Sequence, residues 1–294
     1  MAMTQLLDRK MLIEGLETLG LAQGDSVLVR AAVKAMGPTE GRAATLLIEG
    51  LLELLGPEGT ALGLAFTPAY PSWARNPDHV WTPATPSATG GLAAAMASWP
   101  GAVRSQHPTN GFVAIGRHAQ DMLADHDHTK PCFHPMNKLL ERNGKMILVG
   151  CVESSPGFST VHLAQEHLGL STQTIRQGLF GTYFEQDGKV EWFARLDEPG
   201  CSMGFSKFYA DYVREGLLRT AMIGQAYSIG IDAKAAYALE RAKLEKDVTA
   251  ALCDRPECFG CRGIWNYNKK DWPAYWAKEG VRKVKNRFRA LRIG

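Results

Sequence analysis

The stretch from Lys145 to Leu168 constrains the fold more than any other part of the chain. It opens on an apolar run, KMILVG, which reads as a buried strand. It passes through CVESSPGFST, rich in the Gly, Ser and Pro of loops, and ends in VHLAQEHL, a helix that Ser159 or Thr160 can cap. A strand–loop–helix unit of this kind belongs to an open α/β sheet, and such sheets take their ligands at the mouth of the loop. His162 falls at that mouth, in the first helical turn. Gln165 lies three residues on and Glu166 four, both at helical spacing from the ring. The helix N-terminus disfavours the imidazolium and Glu166 favours it. A mostly neutral imidazole there is a usable general base, although the stretch taken alone also fits a capping or packing histidine.

The rest of the chain keeps the same alternation. Residues 4–20 have helical spacing, 26–30 (SVLVR) read as a first strand, and 45–55 form an amphipathic helix stopped by Gly56-Pro57. Residues 60–67 read as a second strand, and a long Pro/Trp loop covers 68–86, a length that marks functional loops. A helix at 90–99, a polar turn at 104–111, a strand at 112–115 and a helix at 119–124 precede the central unit. After it, 172–183 and 190–196 predict a strand pair around an Asp187-Gly188 turn, and 205–215 and 233–252 predict helices. Strands alternating with helices, closed by a late strand pair, predict one α/β domain with a mixed sheet.

Composition narrows the function. A formal net charge of +3 is too small to make the whole chain a nucleic-acid surface. No apolar run reaches the roughly 18 residues of a membrane span, and MAMTQLLDRK lacks a signal-peptide core, so a cytoplasmic protein is expected. Six cysteines then read as reduced thiols. His126, His128, Cys132 and His134 crowd the segment DHDHTKPCFHP, but none of their spacings is a standard zinc pattern, and a solvated loop is the expectation. Residues 253–294 form a Cys/Trp-rich basic extension to a domain spanning 1–252. Cys253, Cys258 and Cys261 are three potential thiolate ligands with no fourth nearby, so packing thiols are expected and zinc is the alternative. Val281, Val284, Phe288 and Leu291 lie on one stripe of a basic amphipathic helix expected to pack on its own domain.

Four segments taken together add a resemblance. They are GPEGTALGLAFT (56–67), PSATGGLAAAMASWPGAVRSQHPTNGFVAIG (86–116), NGKMILVG (143–150) and STVHLAQE (159–166). In this order and spacing the chain resembles the aminoglycoside 3-N-acetyltransferase family, antibiotic N-acetyltransferases outside the GNAT superfamily, over roughly residues 5 to 250. The resemblance implies a three-layer α/β/α fold, acetyl-CoA as donor, and acetyl transfer to an amine of an aminoglycoside-like or natural-product substrate. His162 matches the histidine that opens the family's H-x-A-E motif, and backbone N–H groups of the loop 154–160 are the natural oxyanion donors. Gln165 stands where the motif has glutamate, and Glu166 is its possible substitute, about 100° further round the helix.

By position, the loop Arg30, Ala31, Ala32 to Lys34 would meet the CoA, with Arg30 and Lys34 supplying charge for phosphates. This chain has Arg30-Ala31-Ala32 where the family usually has a histidine and two hydroxyls. His107 and Thr109 belong to the same cofactor-facing set, in a family pattern that here reads His107-Pro108-Thr109-Asn110-Gly111. Asp197 and Glu198 are candidates to hold a cationic amine. The expected partners are therefore a small-molecule amine and acyl-CoA, with no nucleic acid and no membrane; a homodimer is compatible with the chain. Two other readings stand beside this one. Cys151, just after the central strand, is a candidate nucleophile for Cys-dependent acyl or amide chemistry. A non-catalytic relative would instead use its basic tail to bind an acidic carrier protein.

Overall fold

The structure is a computed structural model and describes residues 6–173 and 178–290. In chain order its elements are α1 (Arg9–Thr18), β1 (Ser26–Ala31), α2 (Ala43–Leu55), β2 (Thr60–Leu64), β3 (Tyr70–Pro71), β4 (Val80–Trp81), α3 (Gly91–Ala97), β5 (Val103–Arg104) and β6 (Phe112–Gly116). There follow α4 (Ala119–Leu123), α5 (Pro135–Glu141), β7 (Lys145–Val149), α6 (Thr160–His167), β8 (Phe180–Gln186) and β9 (Lys189–Ala194). The chain closes with α7 (Tyr209–Arg214), β10 (Arg219–Ile223), β11 (Ala226–Asp232), α8 (Ala233–Lys246) and α9 (Trp272–Ala290).

The main sheet runs β10-β11-β7-β1-β2-β6-β5. β1 is parallel to both β2 and β7, whereas β6 and β11 pair antiparallel at the flanks. The period-2 alternation of the strands sorts their side chains into two cores. Leu28, Met146 and Leu148 face a cluster shared with α4, α5, α6 and α8. Val27, Val29, Ile147 and Val149 face the opposite cluster, shared with α1, α2 and α3. Helices therefore cover both faces, which is the expected three-layer α/β/α fold with a mixed sheet.

The mixed character has a different origin from the one predicted. The predicted pair around Asp187-Gly188 forms β8 and β9, but it belongs to a separate small sheet with β3 and β4. The first of those strands was expected from residue 172; it begins at Phe180, and residues 174–177 lie outside the described residues. The antiparallel strands of the main sheet include the β10–β11 hairpin, which lies in a stretch that yields no strand prediction. The Pro/Trp loop 68–86 is likewise not structureless, since β3 and β4 pair with β8. Two-residue strands are too short for alternation to register in a sequence.

β1 sits between β2 and β7, so the chain crosses to opposite sides of β1 in its two parallel connections. This is the switch point at which open α/β sheets form a crevice beyond the carboxyl ends of their strands. No helix of the described residues is long and apolar enough to cross a membrane.

Candidate active site

A cavity of about 460 Å³ opens at that switch point. Arg30 and Ala31 at the end of β1, Leu64 at the end of β2 and Cys151 after β7 contribute its floor, and Ser159 and His162 of the α6 start contribute a wall. Neither hydroxyl at that start caps the helix as expected: Ser159 makes no side-chain cap bond, and Thr160 Oγ1 donates 2.9 Å to the buried Glu240.

The His162 ring is held on three sides. Phe133 stacks on it at 4.6 Å and 25°, and Phe205 meets it edge-on at 4.6 Å. Nδ1 lies 3.2 Å from Gln165 Oε1. Burial lowers its pKa to about 3; the Arg30 charge adds to that, and Gln165 and the Pro199 backbone offset it only in part. The imidazole is therefore neutral at pH 7. Phe133 comes from the His-rich segment 125–135, which is packed rather than solvated, with His126, Cys132 and Phe133 all buried. His126 bonds Ser105 and the Pro131 carbonyl, and His134 bonds Asp125, so these groups serve the packing of the segment.

Gln165 is fully buried beside the ring. Glu166 points elsewhere: its carboxylate accepts from the Phe133 N–H at 3.2 Å, and burial together with Asp197 raises its pKa to about 8. The step of one residue round the helix is enough to take it off the His162 face, so it does not substitute for the motif glutamate.

Arg30 has a different task from the one expected. Its guanidinium donates to the Gly157 carbonyl at 2.7 Å, to the Ser155 carbonyl at 2.8 Å and to the Ser155 hydroxyl. It fastens the Gly-rich loop to the end of β1, and those hydrogen bonds occupy it where phosphate binding was expected. The loop also packs closely. Gly157 has φ +78°, and a Cβ there would lie 2.1 Å from the Cβ of Phe205, so glycine is required for Phe205 to reach His162. Of that loop's N–H groups, Ser155 donates to the Cys151 carbonyl and Gly157 to the Tyr209 hydroxyl, which rules both out as oxyanion donors in this arrangement.

The other expected residues divide. Ala31 lines the cavity; Ala32 follows with its N–H on the Val149 carbonyl, and Lys34 is exposed and away from the cavity lining. His107 is buried, its Nδ1 accepting from the N–H groups of Thr109 and Asn110. Burial and the neighbouring His126 hold its pKa well below the usual imidazole value. Neither His107 nor Thr109 reaches the cavity, but together they position Asn110, which does. Asp197 and Glu198 are both buried to 3% exposure and are spent inside the protein. Asp197 accepts from the Cys132 N–H, and Glu198 pairs with Arg195 and the Phe180 N–H. They were expected to hold a cationic amine, but Asp197 is engaged by the Cys132 backbone 65 residues away and Glu198 by its near neighbour Arg195 and by Phe180 of β8, so neither is left to hold a substrate amine.

The residue that the sequence reading missed is Arg195, which follows β9, lines the cavity and reaches Asn110 Oδ1 at 3.4 Å. Cys151 lines the cavity too. Its thiol donates to the Arg30 carbonyl at 3.4 Å, and burial raises its pKa. In the tail, the expectation that no fourth thiol stands near Cys253, Cys258 and Cys261 is corrected: Cys201, from the segment after β9, joins them. Val281 and Val284 are exposed rather than packed, and the Phe288 side chain and Leu291 lie outside the described residues.

Comparison with known proteins bears on this geometry. Residues 28–245 match the family model described as aminoglycoside 3-N-acetyltransferase. Aminoglycoside N(3)-acetyltransferase IX of Micromonospora chalcea is 31% identical over 250 residues, 74% of this chain and 86% of the relative. Aminoglycoside N(3)-acetyltransferase III of Acinetobacter baumannii is 28% identical over 209 residues, 63% of this chain and 68% of the relative. The crystal structure of aminoglycoside acetyltransferase AAC(3)-IVa, as the apoenzyme, superposes with a TM-score of 0.73 at 22% identity, covering 92% of this chain and 100% of that one. The AAC-IIIb binary structure with CoASH gives 0.69 at 25% identity, covering 82% of this chain and 97% of that one.

Proposed function

The chain belongs to the aminoglycoside 3-N-acetyltransferase family, and on that footing we propose that it moves an acetyl group from acetyl-CoA to an amine, with His162 as general base. The observation that carries this reading is a neutral imidazole at the wall of the crevice where the ends of β1, β2 and β7 converge. The CoASH held by AAC-IIIb supports the donor.

The chemistry balances on residues of this chain. The amine nitrogen bonds to the thioester carbon, and the carbonyl electrons move to oxygen. The nitrogen becomes more acidic as it bonds, and a neutral imidazole within hydrogen-bond reach can take its proton. The tautomer that donates Nδ1–H to Gln165 Oε1 leaves the Nε2 lone pair for that proton. Collapse of the intermediate breaks the C–S bond, the proton passes to the departing thiolate, and an amide and CoASH result. Arg30 acts as a positioning residue: it holds the loop before α6 in place, and its charge adds to burial in keeping the waiting imidazole deprotonated. N–H groups of the same loop other than those of Ser155 and Gly157 are the donors for the oxyanion.

Arg30 and Arg195 are the charged groups of the lining, and no carboxylate lines the cavity among the described residues. That supports an acceptor amine of low positive charge within the cavity over a polycation buried there. Cys151 has less support as a nucleophile, because its buried thiol stays protonated and bonded to a carbonyl.

Calorimetry with acetyl-CoA and free CoA, followed by thiol release with a panel of amines, tests the reading. It predicts saturable binding of both and thiol release that requires an amine. Absence of binding, together with no thiol release from any amine, overturns it.

A further inference from the structure

Outside the cavity, four thiols from two distant parts of the chain meet at one point. Cys201 follows β9, and Cys253, Cys258 and Cys261 follow α8; all four sulfur atoms lie within 4.8 Å of one another. Zinc bound to four thiolates at about 2.3 Å sets the sulfurs about 3.8 Å apart, so the cluster is within a small contraction of a closed tetrahedral shell. We propose that Cys201, Cys253, Cys258 and Cys261 form a structural zinc site that ties the C-terminal extension to the wall of the cavity.

Several features of the surroundings fit a metal and not merely four packed thiols. The backbone N–H groups of Met203, Cys253 and Cys261 point at the sulfurs of Cys201, Cys261 and Cys258, at 3.4, 3.4 and 3.5 Å. Such bonds orient thiolates and offset their charge. Two cations hold the backbone beside the cluster: Lys207 donates to the Leu252 carbonyl at 2.8 Å, and Arg262 donates to the Cys253 carbonyl. Each of these side chains also pairs with a carboxylate, Lys207 with Asp254 and Arg262 with Asp271, so their part is to fix the backbone that carries the sulfurs. An apolar shell that includes Leu179, Leu252, Ile264 and Trp265 packs around the buried Cys253 and Cys261, while Cys201 and Cys258 are half-buried. All four sulfurs belong to one shell, so the site keeps no open position and is structural, not catalytic.

The site also touches the active centre through the chain. Pro199, Gly200 and Ser202 line the cavity, and Cys201 lies among them. Gly200 has φ +70°, and a Cβ there would lie 1.8 Å from Trp265 of the tail. The segment 199–202 is thus clamped between His162 on one side and the tail on the other. Metal binding would release a proton from each thiol that becomes a ligand and fix both ends of that clamp.

Elemental analysis of the full-length protein purified without added metal tests this. One zinc per chain is expected, and exchange for cobalt should give the intense sulfur-to-metal absorption and the tetrahedral bands of a four-thiolate site. Cys201→Ser and Cys258→Ser should each lower zinc content at least fivefold and expose the tail to limited proteolysis, while Cys151→Ser keeps the metal. If a variant does not fold, the cobalt spectrum of the unaltered protein still decides. Metal-free protein with six titratable thiols, a pair of disulfides among these four cysteines, or full zinc in Cys201→Ser would each overturn the proposal.

Discussion

Two histidines in this molecule have the same depressed pKa and opposite surroundings. Burial takes both His126 and His162 to about 3. His126 spends Nδ1 on the Ser105 hydroxyl and Nε2 on the Pro131 carbonyl, and it stacks on His107 at 4.8 Å. His162 spends Nδ1 on Gln165 and turns the rest of its ring to the cavity wall. Burial alone therefore does not make a site. What separates the two is access: one ring is a hydrogen-bonded part of the core, and the other faces the crevice between parallel strands.

Breaking that contrast is most direct at the two rings themselves. His162→Ala should lower kcat roughly 10²- to 10⁴-fold, the usual share of a general base, with acetyl-CoA affinity unchanged by calorimetry. His126→Ala should do the reverse. It removes a buried, doubly bonded ring, costs about 2 kcal/mol, lowers Tm by a few degrees in a scanning calorimeter, and leaves kcat of the folded protein within about twofold. Equal loss of kcat in both would mean that the two histidines do not differ as described.

Arg30→Met comes next. It strips the loop before α6 of three charge-assisted hydrogen bonds and removes a charge that adds to burial in lowering the His162 pKa. A kcat about tenfold lower is expected, with the acidic limb of the rate profile moved to higher pH. Gln165→Glu should move that limb the same way by about one pH unit, because a carboxylate beside Nδ1 favours imidazolium. The pH dependence of kcat/KM reads both, and an unmoved limb in Gln165→Glu would separate Gln165 from the working ring.

The smallest effect is on stability against pH. His126 and His162 titrate near 6.5 in the unfolded chain and about 3 in the fold, so the unfolded chain binds more protons between those values. Their contribution is intact above 6.5 and is lost as pH falls toward 3. Glu166 and Glu240 are raised from 4.5 to about 8 by burial, so theirs is intact below 4.5 and is lost as pH rises toward 8. Tm should therefore peak between about 4.5 and 6.5. Glu240→Gln should flatten the alkaline side by about a degree or two, and a Tm still rising from pH 5 to 8 would refute these assignments.

How much of this was legible in the sequence follows the range of the contacts involved. β7, its loop and α6 are local, and their apolar run, turn residues and helical spacing predicted both the unit and the position of His162. The β10–β11 hairpin was not legible: β11 is fixed by antiparallel pairing with β7, some 80 residues earlier in the chain, which no local pattern records. Asp197 and Glu198 were expected to hold a cationic amine, yet the Cys132 backbone, 65 residues away, takes Asp197 into the interior, and Phe180 of β8 together with nearby Arg195 takes Glu198. Cys201 was invisible beside the tail cysteines for the same reason. Arg30 stood where the resemblance implied a phosphate contact, and only the folded loop shows that both its terminal nitrogens bond the loop before α6.

The account rests on one nitrogen. It holds that Gln165 takes the Nδ1–H of His162 and leaves the Nε2 lone pair to accept a proton. Nitrogen NMR of the histidine side chains in the free enzyme at pH 7 measures this directly. A neutral His162 carrying its proton on Nδ1, unchanged down to about pH 4, is the predicted result. A ring already protonated at pH 7, or one that carries its proton on Nε2 against the Pro199 backbone, would contradict it.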